Sequence, residues 1–161
     1  MDKMENYNQL VEFLIEKKLT ISTAESCTGG LIAKLITDVP GSSEVFIGGV
    51  VSYSNEMKLK WLGVQRETLE KFGAVSEQTV GEMLDGIRKV TGSDLAIAVS
   101  GIAGPTGGTP EKPVGTVFIG VAFREQQVIQ KFRFKGSREE VRMEAAEKVV
   151  DMIFAQVSNP K

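Results

Sequence analysis

The stretch Leu19-Thr20-Ile21-Ser22-Thr23-Ala24-Glu25-Ser26-Cys27-Thr28-Gly29-Gly30-Leu31-Ile32-Ala33-Lys34-Leu35-Ile36 decides the fold. Residues 19–24 alternate in polarity and carry β-branched side chains, which predicts a strand. Leu31 to Ile36 is a helical run that stops near Val39-Pro40-Gly41. A strand, a glycine turn and a helix in succession form the building unit of an α/β protein.

Before this unit, residues 1–18 read as an amphipathic helix. Leu10, Val11, Leu14 and Ile15 make its apolar stripe. After it, residues 46–53 read as a strand whose Gly48 and Gly49 point to a bulge or a close backbone approach. Asn55 is the expected cap of a helix over 56–62, closed by Gly63. A short helix is expected at 66–72, ending at Gly73. Ser76 caps a longer one with core stripe Val80, Met83, Leu84 and Ile87, ending near Gly92. Leu95 to Val99 is almost wholly apolar, the mark of a central strand covered on both faces. Residues 100–114 form a loop dense in glycine and proline. Residues 115–123 and 127–134 predict a hairpin turning at Glu125-Gln126. Ser137 opens the last helix, with Glu140 completing a capping box. Val141, Ala145, Val149 and Met152 form that helix's buried face. The pattern predicts one domain over 1–161, a three-layer α/β/α sandwich. Its sheet is mixed, mostly parallel, with about five or six strands.

Composition narrows the chemistry. The 161 residues carry a formal net charge of −2, which gives no global reason to expect nucleic-acid binding. A pocket for one phosphate needs only two or three cations and is still allowed. One cysteine, Cys27, forbids an intramolecular disulfide and suits the cytoplasm. The polar N-terminus offers no apolar run for a secretory signal, and no stretch is long enough to cross a membrane. There is no histidine. That excludes Ser-His-Asp and Cys-His catalysis and the commonest zinc sites, so neither a metal nor a cofactor is expected. A hydrolase built from these residues must draw its base from Lys, Asp, Glu, Tyr or a water they hold.

Ser26, on a sharp strand-to-helix turn, resembles a nucleophile elbow. The amides of Thr28, Gly29 and Gly30 at the helix start are placed to hold an oxyanion. The competing reading is that Ser26 and Thr28 only cap the helix. Without histidine, the natural activator is a lysine held neutral. Lys58 falls in the first turn of the helix after Tyr53, which could relay or tune; equally, Lys58 and Lys60 could be solvated and Tyr53 an ordinary strand aromatic. Cys27 is an alternative nucleophile, since amidases using a Cys with Glu and Lys exist and Glu25 is nearby, although a small buried hydrophobe is its simpler role. In the loop from Ser100 through Gly101 and Gly104 to Lys112, backbone amides could meet a phosphate or ribose. The alternative is a flexible lid. Arg138 and Arg142 lie i and i+4 on the last helix, beside its positive dipole end. They suit a phosphate site, unless they pair with Glu139 or Glu144.

Ala24-Glu25-Ser26-Cys27-Thr28-Gly29-Gly30, Val51-Ser52-Tyr53-Ser54-Asn55-Glu56-Met57-Lys58, Gly73-Ala74-Val75-Ser76, Ser100-Gly101-Ile102-Ala103-Gly104-Pro105 and Glu111-Lys112-Pro113-Val114-Gly115-Thr116 stand in one order. In that order and spacing they resemble the C-terminal domain of the CinA family, from about residue 8 to 155. The resemblance implies deamidation of nicotinamide mononucleotide to nicotinic acid mononucleotide and ammonia, in pyridine-nucleotide salvage. It implies Ser26, Tyr53 and Lys58 as the catalytic set, and a phosphate contact in the Arg138/Arg142 region. Larger family members carry an additional N-terminal domain, so the chain looks like the stand-alone form. A homodimer is expected by analogy. Two other readings stay open: a non-catalytic nucleotide-binding regulatory protein linked to competence or DNA damage, and an amidase for a different amide. Trp61 and Phe46 could line the ring pocket, with core packing the simpler expectation.

Overall fold

The computed structural model describes residues 3–158. Residues 1 and 2 of the expected first helix, and the last three of the expected domain, lie outside them. The elements run α1 (Lys3–Lys17), β1 (Ile21–Glu25), α2 (Leu31–Thr37), β2 (Phe46–Val51), α3 (Asn55–Leu62), α4 (Arg66–Phe72), α5 (Glu77–Thr91), β3 (Leu95–Gly101), β4 (Thr116–Phe123), β5 (Gln126–Arg133) and α6 (Arg138–Val157), with a 3-10 turn at Ser42–Glu44. The strands form one sheet in the order β2-β1-β3-β4-β5. β1 pairs in parallel with both β2 and β3, whereas β3–β4 and β4–β5 are antiparallel. This is the expected mixed sheet, with five strands.

Two apolar clusters show the three layers. Tyr7, Leu10, Val11 and Leu14 of α1, Ile32 and Ile36 of α2, and Val141, Ala145 and Val149 of α6 cover one face of the sheet. Leu62 from α3 and Val80, Met83, Leu84 and Ile87 from α5 cover the other, with Leu69 of α4 packed alongside. Small strand residues on that second face let α5 sit close. A methyl group on Gly120 would meet Leu84 at 2.7 Å and Val80 at 2.8 Å. Every residue of β1 and all but the last of β3 are buried, as expected of central strands. β2 slips register opposite Ile21/Ser22, the bulge its glycines suggested.

Several local expectations need correction. The cap of α3 is Ser54, whose side chain accepts from the Met57 amide; Asn55 is already helical. The hairpin turns at Arg124-Glu125, because Phe123 and Gln126 pair directly. Arg124 takes the left-handed conformation (φ 57°) that a two-residue turn demands. Ser100 and Gly101 end β3 instead of opening the loop. Trp61 is 58% exposed, since α3 turns Lys58 and Leu62, one turn apart, inward. Phe46 packs against the core as expected.

Candidate active site

β1 connects to β2 through α2 on one side of the sheet, and β2 to β3 through α3–α5 on the other. The connections therefore diverge between the neighbouring strands β1 and β3, and a crevice opens beyond their carboxyl ends. The Ser26 amide donates to Val99 O at 3.0 Å, so the serine sits at this switch point. Ser26, Tyr53, Lys58, Ser100, Gly101 and Arg138 line a cavity of about 220 Å³ there, with Cys27, Ala74, Val75 and Ala103. That lies below the usual range for a drug-sized small-molecule site, so it has room for a ring-sized group. A cavity of about 660 Å³ elsewhere, between β5 and α6, is larger but brings no serine and lysine together.

Lys58 is 1% exposed. Its Nζ donates to Ser26 Oγ at 2.9 Å, to Ser52 O at 2.7 Å and to Tyr53 O at 3.2 Å. All three acceptors are neutral and do little to offset the lost hydration. Burial holds the ammonium's pKa down at about 8, from an ordinary 10.5. An ammonium has three donors and fills all three acceptors. Once neutral, it keeps two N–H groups for the carbonyls of Ser52 and Tyr53, and its lone pair faces the Ser26 hydroxyl. The geometry can serve both protonation states without moving.

The turn after Ser26 differs from expectation. α2 begins at Leu31, and its cap residue, Gly30, brings no side chain. Neither Ser26 nor Thr28 caps the helix. Thr28 is fully buried and donates to Glu25 Oε1 at 2.6 Å. The Gly29 amide donates to Ser26 O, and the Gly30 amide to Glu25 Oε1. Gly29 and Gly30 are therefore already engaged as donors. Among the described residues, the amides of Cys27 and Thr28 donate to no backbone carbonyl. Cys27 is buried, which pushes its thiol up to about 12, so the alternative nucleophile stays a thiol.

The two arginines part company. Arg138 reaches the cavity and donates to Gly104 O at 2.8 Å and to the Tyr53 hydroxyl at 3.0 Å. Both acceptors are neutral. The phenol of Tyr53 thus faces Arg138, while only its carbonyl meets Lys58. Arg142 lies behind the turn instead, donating to Thr28 O at 2.9 Å and resting against Gly29. Among the described residues neither arginine pairs with Glu139 or Glu144. Lys112 is drawn away from Ser26: its Nζ donates to Phe72 O at 2.7 Å, beside a different cavity. The Ser100 hydroxyl donates to Ala74 O at 2.8 Å, joining the end of β3 to the segment between α4 and α5. Sequence reasoning gave no role to Ser52 and named Glu25 only beside the alternative nucleophile Cys27, yet these residues hold the turn and the lysine. The only signal was a carboxylate at the end of an otherwise uncharged strand.

Comparison with known proteins agrees with this architecture. A family model described as the CinA C-terminal domain matches residues 3–157. A CinA-like protein of Thermotoga maritima is 52% identical over 145 residues, covering 90% of this chain and 35% of that protein. The chain thus spans about a third of the length of the curated relatives it matches. The crystal structure of the competence/damage inducible protein CihA from Agrobacterium tumefaciens superposes with a TM-score of 0.93 at 40% identity, covering 96% of this chain and 95% of that one. The competence damage-inducible protein A (ComA) from Klebsiella pneumoniae superposes with a TM-score of 0.96 at 35% identity, covering both chains fully.

Proposed function

The chain belongs to the CinA C-terminal domain family, and from that premise we propose that it hydrolyses the carboxamide of nicotinamide mononucleotide. The products are nicotinic acid mononucleotide and ammonia. One observation carries the reading: a serine at the sheet's switch point hydrogen-bonded, at 2.9 Å, to a buried lysine whose pKa burial lowers to about 8. A regulatory module that only binds a nucleotide has no use for that pair.

Neutral Lys58 accepts the Ser26 proton as Oγ attacks the carboxamide carbon. The tetrahedral oxyanion is held by the Cys27 and Thr28 amides, the donors of this turn that meet no backbone carbonyl. Lys58 then gives its proton to the departing nitrogen, and ammonia leaves with the C–N bond broken. A water, deprotonated by Lys58, attacks the acyl ester; the acid forms and the proton returns to Ser26 Oγ. Arg138, at the cavity mouth with only neutral acceptors, holds the phosphate, and Tyr53 orients that arginine.

An ammonia-release screen over nicotinamide mononucleotide, nicotinamide riboside and free nicotinamide tests this. Release confined to the mononucleotide is expected. Tight nucleotide binding without turnover would favour a regulatory role, and turnover of an unrelated amide would reassign the substrate.

A further inference from the structure

Glu25 ends β1 and directly precedes Ser26. Its side chain is buried, and four donors converge on it. Oε1 accepts from Thr28 Oγ1 at 2.6 Å, from the Gly30 amide at 3.2 Å and from the Ile32 amide at 3.0 Å. Oε2 accepts from the Ala33 amide at 3.0 Å. Such bonds, with the positive end of α2 behind them, offset the cost of burying a carboxylate.

Capping alone does not require this residue. A Ser or Asp at the cap position would satisfy the same amides locally. Here the cap position is a bare glycine, and the carboxylate reaches in from five residues upstream. That reach brings Thr28, inside the turn, onto the same oxygen as the helix amides. The Glu25 carbonyl works in the opposite direction. It accepts from the Ser52 amide at 2.8 Å and the Ser52 hydroxyl at 3.2 Å. Ser52 O is in turn the shortest-held acceptor of Lys58, at 2.7 Å. One residue therefore fixes the nucleophile's turn with its side chain and the lysine's clamp with its main chain.

We propose that Glu25 is a positioning residue for the hydrolysis, its carboxylate locking the turn so that Ser26 Oγ stays on Lys58 and the Cys27 and Thr28 amides stay placed for the oxyanion. It touches no reacting atom. The proposal rests on Ser26 being the nucleophile.

The test uses Glu25→Gln and Thr28→Val in the full chain. Gln keeps the size but turns one acceptor oxygen into a donor facing N–H groups. Val keeps the threonine's shape and removes one of the four donors. Three readouts separate positioning from mere stability: kcat against KM for ammonia release from nicotinamide mononucleotide, the melting temperature, and the rate at which a fluorophosphonate probe labels Ser26, followed by intact mass. Glu25→Gln should lose about 100-fold in kcat, the scale of a misplaced reacting group, with KM within about threefold. Labelling should slow in parallel. Thr28→Val should lose about tenfold in kcat with a melting temperature near wild type. Folded variants that keep wild-type kcat or wild-type labelling overturn the proposal. If Glu25→Gln does not fold, Thr28→Val decides on the same criterion. If the wild type is labelled at Ser26 yet releases no ammonia, the substrate reading fails and the labelling rates alone judge Glu25. If the wild type is not labelled at all, the nucleophile and this proposal fall together.

Discussion

Raising the pH from 7 to 10 should switch Lys58 from a mostly protonated to a mostly neutral base, and the rate should follow. With its pKa near 8, about one molecule in eleven carries the neutral amine at pH 7, against about one in three thousand for an ordinary lysine. Burial alone thus raises the population of competent enzyme by roughly 300-fold at pH 7. kcat/KM should climb about fivefold from pH 7 to pH 8 and flatten above about 9, because this ratio reports the free enzyme's base. The substrate phosphate has its own transition near pH 6, so the range above 7 isolates the lysine. Initial rates measured by chromatographic separation of the mononucleotide and its acid avoid coupling enzymes with pH profiles of their own. Stability moves in the same direction. Between pH 8 and 10.5 the unfolded chain binds more protons at this position than the folded one. Folding stability therefore rises with pH through that window and is lowest below it. The lysine is 1% exposed, and the full change is of order 3 kcal/mol at about 1.4 kcal/mol per pH unit. It should appear as the difference between wild type and Lys58→Met in urea unfolding across those pH values. A rate flat from pH 7 to 10, or one still rising tenfold per unit at pH 10, would refute the assignment of Lys58 as base.

Cys27→Ala should keep kcat within about threefold and resist inhibition no differently from wild type, because the buried thiol takes no part; a stability loss of about 1 kcal/mol is the expected cost. Thiol-dependent loss of turnover in wild type would speak against this. Arg138→Ala should raise KM for nicotinamide mononucleotide by about 10- to 100-fold, as loss of a charge-assisted phosphate contact demands, with kcat within about threefold of wild type. A kcat loss of that size with KM unchanged would place Arg138 elsewhere in the reaction. Tyr53→Phe removes the hydroxyl that faces Arg138, so steady-state kinetics should show a KM effect of a few fold; a kcat loss above about 100-fold would mean the phenol relays the Ser26 proton.

The fold was legible because hydrophobic period and turn residues agree along most of the chain. β3 and α5 announce themselves by an unbroken apolar run and a clean stripe, β1 by alternation and β-branched side chains, and the Ser137–Glu140 capping box is local by nature. The site was legible only as a set of candidates. Lys58 neighbours Lys60 on a short helix, and nothing in that spelling says one is buried and the other not; the packing of α3 against α5 decides it. Trp61 misled for the same reason, because size suggests burial while the helix face dictates exposure. Lys112 and Arg142 looked like anion binders by charge. Their nearest partners are carbonyls of Phe72 and Thr28, contacts across 40 and 114 residues that no local pattern encodes. Glu25 escaped because a cap supplied from five residues upstream has no sequence signature.

Ser26→Ala is the shortest route to the central claim. Ammonia release from saturating nicotinamide mononucleotide should fall by at least about 1000-fold, as loss of a catalytic nucleophile demands, with the melting temperature close to wild type. Release persisting at the wild-type rate in the folded variant would contradict it.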